Sequence, residues 1–191
     1  MNELDFICID ESYDYALEAD LKKNEVLTES VLNKLGISKK DLCDPAKVKQ
    51  AISKIDTMDD EYERKSAIIT VAGAILSGVV GLTGLVIKSS PEGQVITALL
   101  SVFVSIGTEG AKYSFGVSDY RKLLGYINRE ISRIEKKKAK MKQKADYDKE
   151  AYKDLEDLEN KLEDSKDVIF KEMRKANRKV NTVKNASYYH A

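Results

Sequence analysis

The sequence is poor in the residues from which sheets and tight turns are usually built. It contains no tryptophan, four phenylalanines and two prolines in 191 residues, whereas Asp, Glu, Lys and Arg make up 34%. Few aromatic and turn-forming residues beside many charged ones disfavour a β-sandwich or a barrel. The composition therefore predicts an all-α protein.

Cysteine and histidine are equally scarce. Cys8 and Cys43 are the only cysteines, and the single histidine, His190, lies next to the end of the sequence. A zinc site needs about four such ligands close together, so none is expected. No spacing typical of a catalytic or phosphate-binding site occurs either. We therefore expect a non-enzymatic protein with no cofactor, no metal and no small-molecule substrate.

The sequence also lacks a basic start and a strong overall charge. Its first residues, MNELDFICIDESYDY, are acidic, so they do not match a signal peptide. Residues 1–65 hold 10 basic and 16 acidic side chains, and residues 110–191 hold 21 basic and 14 acidic ones. This asymmetry is too mild to indicate nucleic acid as a partner.

Against this charged background, one long run carries no charge. Residues 67–87 are 21 uncharged and largely apolar residues, about the length needed to cross a bilayer as a helix. A second, shorter run covers 95–108, and Pro91 and Gly93 lie in the segment between the two. The pattern predicts an apolar helical hairpin, which is either a transmembrane unit or the buried core of a helical bundle.

Small residues recur at helical spacing along both runs. Such rows let helix backbones approach closely, an arrangement that drives helix association in lipid. We predict that these residues form the packing face of the hairpin: Gly73, Ser77, Gly78, Gly81, Gly84, Thr97, Ser101 and Ser105.

The last third of the sequence has a different periodicity. Apolar residues are spaced alternately by three and four from 124 onwards, which is typical of a coiled coil. The predicted seam comprises Leu124, Ile127, Ile131, Ile134, Met141, Leu155, Leu162, Ile169, Met173 and Val180. Because the phase is kept throughout, a single long helix is slightly favoured. The alternative is a helical hairpin that folds back near Lys144, which would bring a basic block against an acidic one.

Three segments follow from these patterns: an N-terminal helical cap (1–55), the apolar hairpin (56–116) and a charged coiled-coil region (117–191). Within the cap, Gly36 is a candidate helix terminator. Asp44 and Pro45 have the side chains expected at a helix start, and the helix should run to about Ile55.

The plan of cap, apolar hairpin and charged helical tail resembles the small ejection proteins of tailed phages. It also resembles two-transmembrane effectors of bacterial defence systems, in which a Tyr-Arg pair often follows the second span, as Tyr120-Arg121 does here. The resemblance implies a membrane protein with cytoplasmic termini or a virion-associated one. The excess of Lys and Arg outside the hairpin turn favours the same orientation.

The first functional hypothesis is a membrane-inserting protein that self-assembles through its coiled coil, with a pore or conduit as one form of that assembly. Its partners would be further copies of itself, a lipid bilayer and other helical proteins. The alternative is a soluble structural or scaffold protein that buries the hairpin as its core.

Overall fold

A computed structural model describes residues 29–82, 91–143 and 148–188, with the side chains of all of these except 39, 91, 92 and 180–188. The described residues are helical without any strand, so the predicted all-α class is confirmed. The helices are α1 (29–35), α2 (Pro45–Asp56), α3 (Glu61–Leu82), α4 (Pro91–Thr108), α5 (Val117–Lys142) and α6 (Lys149–Tyr188). Short 3₁₀ helices occupy Lys39–Cys43 and Gly110–Tyr113.

The small N-terminal helices begin and end where their sequence predicts. Gly36 adopts a left-handed φ of 70°, and the Ile37 amide donates to the Leu32 carbonyl, which is the bond of a Schellman helix end. The Asp44 carboxylate accepts from the amides of Ala46 and Lys47, and Pro45 occupies the first helical position. α1 and α2 therefore form a small cap: α2 packs against the 3₁₀ helix at 39–43, α3 and α4, and Lys34 of α1 pairs with Glu63 of α3.

Helices α3 to α6 form a four-helix bundle. α3 packs against α4 and α5, and α6 packs against the same two helices from the opposite corner. Lys65 lies beside Asp119 and Gly73 beside Tyr126, so α3 and α5 run parallel. Thr97 lies beside Lys161 and Gly107 beside Ile169, so α4 and α6 also run parallel. The two hairpins thus lie side by side and enclose one core.

The predicted straight C-terminal helix is wrong. α5 ends at Lys142, α6 begins at Lys149, and the two helices pack together in opposite directions, as the Lys138–Glu159 ion pair demonstrates. The helical-hairpin alternative is the observed arrangement, and residues 144–147 of its turn lie outside the described part. Across this contact, Lys138 of the basic block on α5 meets Glu159 of the acidic block on α6.

An aromatic corner joins the first hairpin to the second. Tyr113, Phe115 and Tyr120 pack together where α4 gives way to α5, with ring centroids 5.8 and 5.6 Å apart along the series. Ser114 supplies the left-handed backbone of this corner, with a φ of 54°. The Tyr113 hydroxyl donates to Asp56 at 3.0 Å, and burial together with this bond raises the pKa of Tyr113 to about 12. The corner therefore also fixes the end of α2 against the bundle.

Candidate functional site: the apolar hairpin and its helical cover

The large apolar side chains of the hairpin point into the protein. α3 buries its isoleucines, leucine and valines up to Val79, and α4 buries its own set around Phe103, all with at most 7% of their surface exposed. These residues are Ile68, Ile69, Val71, Ile75, Leu76, Val79, Ile96, Leu99, Leu100, Val102, Phe103 and Ile106. The described part of the charge-free run, residues 67–82, therefore forms a wall of the protein core.

The faces that the hairpin leaves open have a different composition. On α3 the exposed residues after Arg64 and Lys65 are Ser66, Ser77 and Gly81, and on α4 they are Gln94, Thr97, Ser101 and Thr108. Exposing a hydroxyl group, an amide group or a glycine to water does not carry the free-energy cost of exposing a leucine or isoleucine side chain. Half-buried residues separate them, among them Val80, Leu82, Val95 and Val104. The fully exposed positions of α3 and α4 after Lys65 are thus small or polar in the part of the chain that the structure describes.

The predicted small-residue row is divided between several environments. Gly73 lies under the ring of Tyr126 on α5, and a Cβ atom added at Gly78 would lie 4.0 Å from the sulfur of Cys43. Gly81 has open space around it, Ser77, Thr97 and Ser101 are exposed, and Ser105 is half-buried and donates to Glu109. Gly84 lies outside the described residues. The structure therefore does not bring these residues together between α3 and α4, and their role in association with lipid or other chains stays a prediction.

The hairpin turn is described only in part. Pro91 begins α4, where its missing amide removes no helical hydrogen bond, and Gly93 lies half-buried in the first turn. The carbonyl of Gly93 accepts from the Thr97 hydroxyl at 3.1 Å. Both residues thus belong to the first turn of the returning helix.

The predicted coiled-coil seam covers the hairpin. Ile127, Ile131, Ile134, Leu155, Leu162, Ile169 and Met173 are buried, Leu124 and Met141 are half-buried, and Val180 is helical with no described side chain. The seam residues belong to the same core cluster as the hairpin residues. The spacing of the seam residues by three and four is therefore accounted for by packing within one chain. Whether a coiled coil also joins separate chains is a prediction that this contact does not test.

A buried polar strip lies on α5, the helix that packs along α3. Glu130 is 3% exposed and accepts from the Arg133 guanidinium at 2.9 and 3.2 Å. Arg129 lies over the ring of Tyr126, 5.8 Å from its centroid. Burial raises the pKa of the Glu130 carboxyl, and Arg133 acts in the opposite direction. Periodicity alone did not identify Glu130, because it lies one residue before the seam position Ile131.

Gly107 makes the tightest contact between α4 and α6, and it was not among the predicted residues. A Cβ atom at this position would lie 2.7 Å from Cγ1 of Ile169. Lys161 on α6 also reaches the hydroxyl of Thr97, at 3.4 Å. In the sequence, Gly107 is a glycine near the end of the second apolar run. Such a glycine indicates a close approach between two helices only once the partner helix is known.

The described residues contain no cluster of metal-ligating side chains. One helix, Glu61–Leu82, is long and apolar enough to cross a membrane, and 44% of its most apolar window is buried inside the protein. A core helix of a soluble protein satisfies the same criteria. No protein-family model, curated protein or solved structure matches this chain.

Proposed function

We propose that this chain is a non-enzymatic helical bundle that keeps its apolar hairpin as a folded core in water and acts as a structural or scaffold protein. The supporting observation is the orientation of α3 and α4, whose large apolar side chains face inwards while serine, threonine, glutamine and glycine face outwards. A lipid-facing helix needs the opposite arrangement, with its apolar surface outside.

A pair of outward charges tests this proposal. Ser77 and Ser101 are exposed on α3 and α4, so Ser77→Lys/Ser101→Lys leaves a water-soluble bundle folded and monodisperse without detergent. In a membrane-spanning hairpin the same lysines would each oppose insertion by about 2.5–3.5 kcal/mol near the bilayer centre. Ile75→Lys/Phe103→Lys is the matched control, because it places the same charges in the core and should unfold the bundle.

The measurement combines sedimentation with dye release. We expect the wild type and the Ser77→Lys/Ser101→Lys variant to stay in the supernatant after membranes are removed and to leave dye-loaded liposomes intact. Recovery of the wild type only with membranes, together with loss of membrane association in the Ser77→Lys/Ser101→Lys variant, would rule the scaffold proposal out.

The length and apolarity of α3 support a second candidate function. In that case the bundle opens, the hairpin inserts with the termini on the cytoplasmic side, and inserted copies assemble into a pore or conduit. Opening must separate α4 from α6, which are joined by a hydrogen bond from the Lys161 amine to the Thr97 hydroxyl.

A crosslink across that contact tests the second candidate. Cysteines at Thr97 and Lys161, in a Cys8→Ser/Cys43→Ser background, are joined by a short bis-maleimide. If insertion needs opening, dye release should disappear on crosslinking, while the uncrosslinked double-cysteine protein remains active. Equal release from both forms, or release from neither, would contradict an opening mechanism.

A further inference from the structure

Helix α6 continues beyond the bundle that it helps to form. It has 40 residues against 26 in α5, and Glu172 already lies near Tyr120 in the first turn of α5, where burial and then the Glu172 charge raise the pKa of the tyrosine. Met173 is the last buried residue described, and 174–179 are exposed apart from half-buried Ala176. At about 1.5 Å per residue, residues 174–188 add about 22 Å of helix. We name residues 174–188 the α6 end.

The charge of the α6 end has one sign. No acidic side chain occurs after Glu172, whereas five basic ones follow: Arg174, Lys175, Arg178, Lys179 and Lys184. Lys175 pairs with Glu172 and Arg174 lies over the ring of Phe170, so part of this charge is shared with the preceding turn. On α5, Lys138 pairs with Glu159, and Lys138 and Lys142 both lie over the ring of Tyr152. A net positive charge remains at the α6 end, where residues 174, 175 and 177–179 are exposed and Ala176 still packs against the core.

The apolar residues of the α6 end keep the seam spacing. Ala176, Val180 and Val183 continue the row of Met173, so the sequence alternates apolar and basic positions at helical period. A basic amphipathic helix is typical of a segment that lies on a membrane surface. Nucleic-acid binding favours stacking aromatics among the basic residues, whereas the one aromatic residue of the α6 end, Tyr188, follows its last basic residue. An isolated helix of this length is also only marginally stable in water, so a partner surface would stabilise it.

We propose that the α6 end docks the folded bundle onto an anionic lipid surface. Each basic residue close to such a surface contributes attraction that falls off within a Debye length, about 10 Å at 0.1 M salt. Docking of this kind leaves the hairpin buried, is reversed by salt and releases no dye. It goes beyond a scaffold role by assigning one end of the molecule to the membrane.

The test is cosedimentation of the full chain with vesicles of phosphatidylcholine alone or mixed with phosphatidylglycerol. Arg174→Gln/Lys175→Gln/Lys179→Gln removes three charges from the α6 end. Lys136→Gln/Lys137→Gln/Lys140→Gln removes three charges from the opposite end of the bundle and is the matched control. The first variant should bind the anionic vesicles about 100-fold more weakly than wild type. The control should keep most of the affinity, and both variants should keep the helical circular dichroism of the wild type.

Several results would overturn the proposal. They are absence of wild-type binding to the anionic vesicles, equal binding to the neutral vesicles, and equal weakening in both triple variants. Full competition by a short DNA duplex at the same phosphate concentration would assign the α6 end to nucleic acid instead. A concentration-dependent dimer that disappears only in the α6-end variant would assign it to a second copy of the chain. Continued soluble behaviour without any vesicle binding would leave the scaffold proposal standing and remove this one.

Discussion

At the scale of single residues, substitution of two glycines of the hairpin by alanine should change the stability of the protein in opposite directions. A Cβ at Gly107 would lie 2.7 Å from the side chain of Ile169, whereas a Cβ at Gly81 meets nothing within 4 Å. Alanine favours a helix over glycine by about 1 kcal/mol at either position. Gly81→Ala should therefore stabilise the protein by up to about 1 kcal/mol. At Gly107 the overlap, typically about 1–3 kcal/mol, should outweigh that gain and leave the protein less stable.

Urea unfolding of the two alanine variants, followed by circular dichroism, provides the measurement. The expected order of midpoints is Gly81→Ala, wild type, Gly107→Ala. If Gly107→Ala gained as much stability as Gly81→Ala, the close approach of α4 to α6 would be refuted.

At the same scale, the buried carboxyl of Glu130 predicts that the stability of the folded protein depends on pH. Its folded-state pKa is raised by burial, so the folded protein holds the proton more strongly than the unfolded chain does. The stability associated with the protonated form is fully present below the unfolded pKa, near 4.5, and is lost as the pH rises through the folded pKa. Glu130→Gln keeps the side-chain shape without ionising. The stability of the wild type relative to this variant should therefore increase as the pH is lowered from 7 towards 4.5.

The comparison uses unfolding midpoints of both proteins at several pH values. Glu135→Gln is the control, because Glu135 is exposed on the same helix and its substitution should leave the pH profile close to that of the wild type. A constant difference between wild type and Glu130→Gln across the pH range would contradict the buried state of this carboxyl.

At the scale of elements, the contact between α5 and α6 includes a shielded ion pair. Lys138 and Glu159 expose only 15% and 18% of their side chains, and Lys138 also lies 5.3 Å from the ring centroid of Tyr152. Exposed pairs usually contribute about 0.2–1 kcal/mol, and shielding from water strengthens the interaction. A double-mutant cycle with Lys138→Met and Glu159→Gln should give a coupling energy of about 1 kcal/mol or more.

The matched cycle uses Lys34 and Glu63, which pair at 2.7 Å with 64% and 49% of their side chains exposed. Its coupling energy should be smaller than that of the Lys138–Glu159 pair and decline in high salt. Equal coupling energies in the two cycles would mean that Lys138 and Glu159 are as solvated as the surface pair. Unfolding in urea at low and high salt measures both.

The same contact explains why the sequence did not reveal the path of the chain after Gly116. Spacing by three and four residues requires only that a helix face an apolar partner, and it does not identify that partner. Ile134 and Leu155 keep the phase because each helix independently faces the shared core. The alternating charge blocks carried the missing information, since only a chain that folds back lets Lys138 meet Glu159.

At the scale of the whole molecule, local signals were predictable and long-range partners were not. The all-α class, the helix start at Asp44 and Pro45 and the helix end at Gly36 depend on neighbouring residues. The contacts of Gly73 with Tyr126 and of Gly107 with Ile169 join residues far apart in sequence. Likewise, the apolar run predicted a hairpin, but its surroundings depend on whether α5 and α6 cover it.

Because the seam residues pack within one chain, they lead to a prediction about the mass of the protein in solution. Leu162 is fully buried in the core that α6 shares with the hairpin. Leu162→Ala should therefore destabilise each chain by about 2–5 kcal/mol. It should leave the mass measured by light scattering unchanged across a concentration series, because no contact between chains is removed.

If the seam instead joined separate chains, the wild type would be oligomeric and this substitution would shift it towards smaller species. Asn160→Ala, two residues away and exposed, is the control that should change neither stability nor mass substantially. Together, the two readouts distinguish a seam that closes one bundle from a seam that assembles several.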